Sequence, residues 1–338
     1  MSVFVADSVA ACFPAPVPRP ALPVTAEDGV QERRSRRGSR PESRSFSWMR
    51  LAKSYFSDWI LILLLWGLLA VLERTGGHKR QFSLTDKTIQ FAYAVHERVP
   101  PHLLAIVSVV VPLTVLIPIS ILVARNAWDV HNAICGLGLS WTMAGVVTQI
   151  VKMMVGRPRP DLINRCLPAE GAADAPVWGL SNYTICTSTN QLVLDDGFKS
   201  FPSGHSSLSF AGLGFLTFYL AGKMHLWDRY GHRNRAWFAL SPLLLAAMVA
   251  ITRTQDNRHH WQDVLVGSAL GLVIAFVSYR TYYPQLAHPT CHLPLLPRPG
   301  RDDITDEDIE YEALHPHGLL SDEGVPRPSN EEELVWRQ

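Results

Sequence analysis

The chain has few cysteines and little charge in its apolar parts, and it lacks several patterns that point to common functions. Five cysteines in 338 residues are too few for a framework of disulfide bonds. The sequence contains no internal repeat, no heptad pattern and no glycine loop typical of nucleotide binding. Its basic N-terminal arm has no folded module or aromatic platform beside it, so nucleic-acid binding is not expected. Since these patterns are missing, the class of protein is indicated by the distribution of charge along the chain.

Hydrophobic residues make up 47% of the sequence and are concentrated in six long runs that carry almost no charge. Each run is near the roughly 17 to 25 residues that a helix needs to cross a bilayer. A soluble protein with buried helices is the alternative, but six such runs in one chain make it the weaker interpretation. We therefore predict an all-α integral membrane protein with six transmembrane helices. The runs are Tyr55 to Leu72, Leu103 to Ala124, Ala133 to Val151, Ser206 to Gly222, Ala236 to Ile251 and Val264 to Tyr283.

The two ends of the chain differ in composition from the apolar middle. Residues 1–53 are rich in Pro, Ser and Arg, and residues 284–338 are Pro-rich and then acidic. Neither segment can bury enough apolar surface to fold, so we expect a disordered arm and a disordered tail around a domain of residues 54–283. Because basic residues are retained on the cytosolic side of a membrane, the arginines before the first run predict that both termini are cytosolic. The connections after runs one, three and five would then face outward.

Basic residues collect at the outer ends of the predicted spans. Lys152, Arg157 and Arg159 follow the third run, and Arg253 follows the fifth. Any one of them could snorkel at the end of a span, but the orientation rule leaves this side poor in basic residues. Arginine matches phosphate oxygens in bidentate fashion, and lysine adds a mobile charge. The set therefore predicts a phosphate site outside the bilayer.

A second pattern, Pro202-Ser203-Gly204-His205, stands directly before the fourth run. The start of a helix directs free N–H groups and a partial positive charge outward, so an anion is stabilised there. Gly204 would let the anion approach the backbone closely. His205 would lie beside the anion, placed to protonate a leaving oxygen. We predict that this stretch is a phosphate cradle.

A third pattern, residues 252–264, brings an arginine, two histidines and an aspartate together. If the sixth helix begins a turn early, His259 and Asp263 share one face and can form a hydrogen bond. An aspartate on one imidazole nitrogen leaves the other nitrogen free to attack phosphorus. His260, three residues from Asp263, is an alternative on geometry. A metal site is the competing interpretation, but the neighbouring cations would repel a divalent ion, and the ligand spacing of common metal sites is missing.

In order and spacing, these patterns resemble the three motifs of the type 2 phosphatidic acid phosphatase superfamily, the lipid phosphate phosphatases. The motifs K-x6-R-P, P-S-G-H and S-R-x5-H-x3-D correspond to Lys152 with Arg159-Pro160, to residues 202–205, and to Thr252-Arg253 with His259 and Asp263. Thr252 departs from the usual serine but keeps a hydroxyl group. The resemblance covers roughly Tyr55 to Tyr283, and "HKRQFSLTD", "HERVP" and "DGFKSFPSGHSS" are similar to fungal diacylglycerol pyrophosphate and phosphatidate phosphatases.

The resemblance implies a phosphatase of phosphatidate, lysophosphatidate or diacylglycerol pyrophosphate that needs no metal or other cofactor and acts at the non-cytosolic face. His259 would attack phosphorus to give a phosphohistidine, and Asp263 would orient His259. His205 would protonate the departing lipid and then activate water. The resemblance favours His259 over His260 as the nucleophile. It ranks Arg157 below Arg159 as a phosphate-binding residue, because the spacing of Arg157 from Lys152 does not fit the motif. The implied phosphate-binding residues are Lys152, Arg159, Ser203, Gly204 and Arg253.

Three further expectations concern processing and location. Cys166 and Cys186 share the third connection on the predicted oxidising side, so we expect a disulfide between them. Asn182 begins an N-x-T sequon in the same connection, so we expect an N-glycan there. The likeness to fungal enzymes favours the vacuole or another endomembrane, with the plasma membrane as the alternative.

Three other functions compete with lipid phosphate hydrolysis. A lipid phosphotransferase would have a similar site, but a lipid hydroxyl group would replace water as the acceptor. Vanadate-dependent haloperoxidases share the anion-binding motifs, but the six predicted spans argue against one. A non-enzymatic lipid-binding membrane scaffold would be expected to lack part of the set His205, His259 and Asp263, which is intact in this chain.

Overall fold

The computed structural model of the protein describes residues 48–227 and 234–295. Within these ranges the chain is helical and contains no strand, only isolated bridges between Phe82 and Ser181 and between Pro168 and Cys186. The predicted all-α class is therefore confirmed. Residues 1–47 of the predicted arm and residues 296–338 of the predicted tail lie outside the described residues, and so do most of the arginines before the first run that predict cytosolic termini.

We number the helices of the described residues in chain order. They are α1 (Trp48–Arg74), α2 (Pro101–Val123), α3 (Ala127–Val155), α4 (Leu162–Cys166), α5 (Gln191–Gly197), α6 (Gly204–Lys223), α7 (Arg235–Gln255) and α8 (Trp261–Tyr282). Helix α2 includes two π-helical turns, Ile106–Val110 and Ile119–Val123. Short 3₁₀ turns occur at Lys87–Ile89 and Tyr183–Ile185. Each of the six predicted apolar runs therefore corresponds to a helix.

Five of the described helices, α1, α2, α3, α7 and α8, are long and apolar enough to cross a membrane. The remaining predicted span is α6, whose 20 residues include several serines and glycines and are mostly buried. Small residues are enriched where membrane helices pack closely. Helix α6 packs against α3, α7 and α8 and forms the centre of the bundle. A multi-pass membrane protein is thus confirmed, and the sixth crossing stays a prediction.

Helices α6 and α8 approach each other closely at two glycines. A Cβ atom added at Gly271 would overlap the backbone carbonyl oxygen of Ser207. A Cβ atom added at Gly267 would lie 2.6 Å from the carbonyl oxygen of Ser203. Because residues 202–205 lead into α6 and residues 259–263 lead into α8, this contact sets the distance between two of the three motif regions.

The connection between α3 and α6 is folded. Helix α3 ends at Gly156, which has a left-handed φ of 61° and donates its N–H to the Lys152 carbonyl oxygen at 3.2 Å. A glycine in this conformation is a common C-cap of a helix. The sulfur atoms of Cys166 and Cys186 lie at bonding distance, with their Cα atoms 4.6 Å apart. Four residues of the connection form a small apolar cluster with Phe82 and Ile89. These four are Leu162, Cys166, Leu194 and Phe198.

Residues 284–295, the first part of the predicted tail, contact the helix bundle. The Leu295 N–H donates to the Tyr282 carbonyl oxygen at 3.0 Å, and the Trp128 indole N–H donates to the Leu295 carbonyl oxygen at 2.9 Å. Cys291 is buried. These hydrogen bonds tie residues 284–295 to the start of α3 and the end of α8.

Gly271→Ala tests the close contact between α6 and α8. The added methyl group would overlap the backbone of α6, and overpacking of this kind costs about 1–3 kcal/mol. We expect a lower midpoint of thermal unfolding for the protein purified in detergent. The matched control is Gly67→Ala on α1, where an added Cβ atom meets no other atom within 4 Å. Equal midpoints for the two variants would contradict this account of the helix contact.

Candidate active site

The three motif regions meet at one end of the helix bundle. Lys152 lies in the last turn of α3, His205 in the first turn of α6 and Arg253 in the last turn of α7. Arg159 lies in the connection after α3, and His259 lies directly before α8. These five side chains line a single cavity of about 380 Å³. Residues more than 100 positions apart in the sequence thus form one site.

The cavity is bounded by apolar helix surface as well as by basic groups. Leu69 of α1, Leu104 of α2 and Leu208 of α6 all line it. Gly145 of α3 leaves space for Leu69, since a Cβ atom at this position would lie 2.7 Å from the Leu69 Cδ2 atom. A cavity that combines cations with apolar walls in a membrane protein suits an amphiphile with an anionic head group.

Within the predicted phosphate cradle at residues 202–205, Gly204 and His205 line the cavity and Ser203 does not. Gly204 lines the cavity, and a Cβ atom added there would lie 3.2 Å from the Lys152 Nζ atom, in space that an anion could use. Ser203 is the N-cap of α6, and its buried Oγ accepts hydrogen bonds from the Ser206 N–H at 3.4 Å and the Ser206 hydroxyl at 3.0 Å. Ser203 is not among the residues that line the cavity, so its side chain supports the start of the helix.

His259, the nucleophile that the motif predicts, is buried beside the cations of the cavity. Its Nδ1 atom lies 2.7 Å from the Ser200 carbonyl oxygen. Because a carbonyl oxygen can only accept, Nδ1 carries the proton and Nε2 keeps its lone pair. Burial lowers the pKa of His259 well below its usual range, and the charges of Arg159 and Lys152 lower it further. The imidazole is therefore neutral at neutral pH, which is the state in which it can attack.

The direct hydrogen bond predicted between His259 and Asp263 is not formed. Helix α8 begins at Trp261 with His260 as its N-cap, so His259 lies outside the helix and shares no helical face with Asp263. The Asp263 Oδ2 atom is 4.0 Å from the His259 Nδ1 atom, too far for a hydrogen bond. Instead, Asp263 accepts a hydrogen bond from the Ser200 hydroxyl at 2.6 Å. Asp263 thus positions His259 through Ser200.

Arg157 and His260 are not among the residues that line the cavity. The Arg157 Nη1 atom donates to Asp263 Oδ1 at 2.6 Å, so this arginine pairs with a buried carboxylate. The His260 backbone N–H donates to Asp263 Oδ2 at 3.1 Å, as part of the capping box that begins α8. Arg159 and His259, the residues that the motif spacing favours for phosphate binding and for the nucleophile, line the cavity, whereas Arg157 and His260 do not.

The His205 imidazole carries a proton on its Nε2 atom. Its Nε2 atom lies 3.0 Å from the Val99 carbonyl oxygen, so this nitrogen donates. The same atom is 3.9 Å from the Glu97 carboxylate. His205 lines the same cavity as His259, and two imidazoles with different proton positions are therefore available to one bound group.

Two carboxylates that the motif patterns missed neutralise the arginines of the cavity. The Glu97 Oε2 atom lies 2.7 Å from Arg253 Nη1, and the Asp196 Oδ1 atom lies 2.7 Å from Arg159 Nη2. Asp196 also pairs with Arg165 at 2.8 Å. Burial raises the pKa of Asp196, but the charges of Arg159 and Arg165 outweigh this effect and lower the pKa to about 2. Asp196 is therefore ionised throughout the physiological pH range.

The sequence held only an indirect signal for these carboxylates. Asp196 lies in the stretch that leads to residues 202–205, and Glu97 lies in "HERVP". Both are near pieces that carry the family resemblance. Their partners, however, are 37 and 156 positions away along the chain. No spacing rule links groups at such distances, so the contacts become visible only in the folded chain.

Taken together, three cationic side chains and two buried imidazoles with different proton positions surround one cavity at the end of a membrane helix bundle. Burial and the neighbouring cations lower the pKa of His205 to about 3, so both imidazoles are neutral in the empty site. Cations of this kind bind phosphate groups. The fold and the site define an integral membrane protein with a basic, histidine-lined cavity that suits a phosphate group.

Comparison with known proteins assigns the family. Residues 133–286 match the PAP2 superfamily. The chain is 41% identical over 256 residues to diacylglycerol pyrophosphate phosphatase 1 of Saccharomyces cerevisiae, which covers 73% of this chain and 86% of that protein. It is 37% identical over 235 residues to lipid phosphate phosphatase 2 of Arabidopsis thaliana, which covers 69% of this chain and 79% of that protein. No solved structure matches the chain. The chain belongs to the PAP2 superfamily, as its motifs predict.

Arg157→Met tests whether Arg157 stabilises the site from outside the cavity. The substitution leaves the carboxylate of Asp263, which is 0% exposed, without its charged partner. Because the Arg157 side chain is itself 28% exposed, we expect a loss of about 1–3 kcal/mol, less than for a fully buried ion pair. The measurement is the midpoint of thermal unfolding, with Arg80→Met, an exposed neighbour of Arg157, as the control.

Binding of orthovanadate by Arg157→Met and by a further variant, Arg159→Met, distinguishes a role in stability from a role in anion binding. Arg159→Met should weaken the binding of orthovanadate, measured by calorimetry, because Arg159 lines the cavity. If Arg157→Met weakened this binding as much and left the unfolding midpoint unchanged, Arg157 would belong to the anion site, contrary to its position in the structure.

Proposed function

We propose that this protein is a metal-independent lipid phosphate phosphatase that acts on phosphatidate, lysophosphatidate or diacylglycerol pyrophosphate through a phosphohistidine intermediate. The observation that carries the proposal is the single cavity in which three cations surround a neutral, buried His259. Relatives named as diacylglycerol pyrophosphate phosphatases in Saccharomyces cerevisiae and Schizosaccharomyces pombe support this class of substrate.

In the first chemical step, the Nε2 atom of His259 attacks phosphorus while the bond from phosphorus to the lipid oxygen breaks. In the empty site, burial and the charges of Arg253 and Lys152 lower the pKa of His205 to about 3. A bound phosphoryl anion offsets these charges, so His205 takes up a proton with the substrate and gives it to the departing oxygen. The lipid leaves as a neutral hydroxyl or, from a pyrophosphate, as a phosphate monoester. The growing charge on His259 is offset through its Nδ1–H, which donates to the Ser200 carbonyl oxygen. Asp263 holds Ser200 in place and therefore acts as a positioning residue.

In the second step, a water molecule attacks the phosphohistidine. His205, now without its extra proton, removes a proton from the water, and the bond from phosphorus to the His259 nitrogen breaks. The products are inorganic phosphate and the regenerated imidazole. Proton transfer in both directions by one histidine follows from microscopic reversibility.

The phosphoryl group would be held by Lys152, Arg159 and Arg253, with Gly204 giving access to the start of α6. Fixed donors aimed at the charge of the transition state give a large part of the rate in a site that excludes water. These cations take the role that a divalent ion has in metal-dependent phosphatases. Among the described residues there is also no group of three or more His, Cys, Asp or Glu side chains that could hold a metal ion.

The proposal extends to the arrangement in the membrane. With α6 as the sixth crossing and cytosolic termini, the site lies at the non-cytosolic face of a vacuolar or other endomembrane, and the plasma membrane is the alternative location. The connection between α3 and α6 would then be in an oxidising compartment, where Cys166 and Cys186 form a disulfide. Asn182 is exposed in the same connection and would carry an N-glycan.

The glycan provides a test of this orientation. In the native host, digestion with an endoglycosidase should increase the electrophoretic mobility of the wild-type protein, because sequons are modified only on the lumenal side. Asn182→Gln and Thr184→Ala should abolish the shift. Thr187→Ala, in the same connection but outside the sequon, should keep it. A wild-type protein with no shift would remove the support that the glycan gives to a lumenal site.

His259→Ala and His260→Ala test the mechanism. We expect His259→Ala to lower kcat by about three orders of magnitude or more, because it removes the nucleophile. His260→Ala should retain activity within about tenfold, since His260 acts in the cap of α8 and not in the cavity. The measurement is release of inorganic phosphate from phosphatidate and diacylglycerol pyrophosphate in mixed micelles with excess chelator. The opposite ranking would overturn the assignment, and loss of wild-type activity with chelator would contradict a metal-free reaction.

A further inference from the structure

Glu97 lies between two arginines at the edge of the candidate site. It belongs to the segment before α2, lines the cavity and has a side chain that is 21% exposed. Its Oε2 atom is 2.7 Å from Arg253 Nη1, and its Oε1 atom is 3.2 Å from Arg258 Nη2. One carboxylate therefore bridges an arginine that lines the cavity and a second arginine that is not among the lining residues.

The Nε and Nη2 atoms of Arg253 are bonded to neighbouring side chains. Its Nε and Nη2 atoms lie 3.3 and 3.2 Å from the Thr252 hydroxyl oxygen. The Nη2 atom also donates to Asp256 at 2.8 Å. The Nη1 atom is bonded to Glu97. Because Nη1 is the one nitrogen of Arg253 without a partner on its own helix end, a phosphoryl group that binds Arg253 there shares this nitrogen with the Glu97 carboxylate and lies close to its negative charge.

Arg258 is a second cation with which Glu97 can stay paired. Its guanidinium group stacks over the Tyr93 ring at 4.6 Å from the ring centroid and donates to the Ala94 carbonyl oxygen at 3.0 Å. Its side chain is only 6% exposed, so it is a fixed charge. Glu97 can leave Arg253 and still be paired. Asp196 differs, since its two short ion pairs hold it to Arg159 and Arg165.

We propose that Glu97 is a displaceable counterion of Arg253, a role that rests on the proposed phosphatase function. In the empty site it holds the guanidinium group in place. When the phosphoryl group arrives, Glu97 gives up Arg253 and stays with Arg258. After hydrolysis it returns to Arg253 and competes with inorganic phosphate. Glu97 is thus a positioning residue that limits the affinity for phosphate and speeds product release.

Glu97→Gln is the main test because it keeps the size and the acceptor oxygen but removes the charge. Without a like charge near the anion, inorganic phosphate should become a better inhibitor, and the affinity for orthovanadate should rise by about tenfold. The KM for the lipid phosphate should fall, and kcat should fall with it because product leaves more slowly. A purely structural role for Glu97 predicts weaker anion binding, which is the opposite sign.

Three further variants control for charge and folding. Asp195→Asn removes the same charge from the cavity lining, but Asp195 pairs with Lys79 at 2.6 Å and not with Arg253, so affinity should change by no more than about twofold. Glu97→Asp keeps the charge and should bind orthovanadate as the wild type does. Glu97→Ala should also tighten binding, and it serves as the test if the glutamine variant does not fold.

The measurements are inhibition by inorganic phosphate and calorimetric binding of orthovanadate, both on the full chain in detergent. Unchanged or weaker binding in folded Glu97→Gln or Glu97→Ala protein would overturn the role of Glu97. Binding of orthovanadate is measured separately from turnover. A failure of the proposal for Glu97 can therefore be distinguished from a failure of the proposed function. A wild-type protein that binds orthovanadate but hydrolyses no lipid phosphate would count against the proposed function alone.

Discussion

A single buried carboxylate, that of Asp263, joins the segments from which the site is built. A buried charge must be paired and hydrogen-bonded to be tolerated. Asp263 meets this requirement with partners from three regions: Arg157 after α3, Ser200 before α6 and the His260 backbone at the start of α8. Its own carbonyl oxygen accepts from the Ser203 N–H at 3.0 Å. Satisfying this one group therefore fixes the relative position of all three regions, including the Ser200 carbonyl that orients His259.

The cations of the cavity pose the converse problem, because several positive charges must lie close together before any anion is bound. The structure balances them with carboxylates on different elements, Glu97 before α2 and Asp196 on α5. These pairs stabilise the empty site, but they also occupy donors that a phosphoryl group needs. A site that is neutralised by its own side chains binds an anion by exchange of partners and not by simple addition of charge. Such a site can hold a substrate firmly enough for reaction and still release inorganic phosphate.

The sequence predicted those parts of the molecule that depend on local rules. Apolar runs predicted the helices, and motif spacing predicted that Lys152, His205 and His259 converge. The predictions failed where spacing of i to i+4 was used for residues that are not in one helix, as for the bond from His259 to Asp263. They also did not identify Glu97 or Ser200. Glu97 contacts a residue 156 positions away, and Ser200 contacts a residue 63 positions away. Contacts of this kind are set by tertiary packing, which has no period in the sequence.

Helix α6 connects the membrane part of the fold to the chemistry. Its serines and glycines make it the least obvious of the six predicted spans, but the same residues allow its neighbours to come close. Ser140 of α3 donates to the Ala211 carbonyl oxygen at 2.9 Å, and Thr148 donates to the Ser207 hydroxyl at 2.8 Å. Larger apolar side chains at these positions would raise hydropathy and separate the helices. Because α6 begins at Gly204 and His205, such a separation would move the cradle away from Lys152 and His259, so the weak hydropathy of this helix follows from the geometry that the site requires.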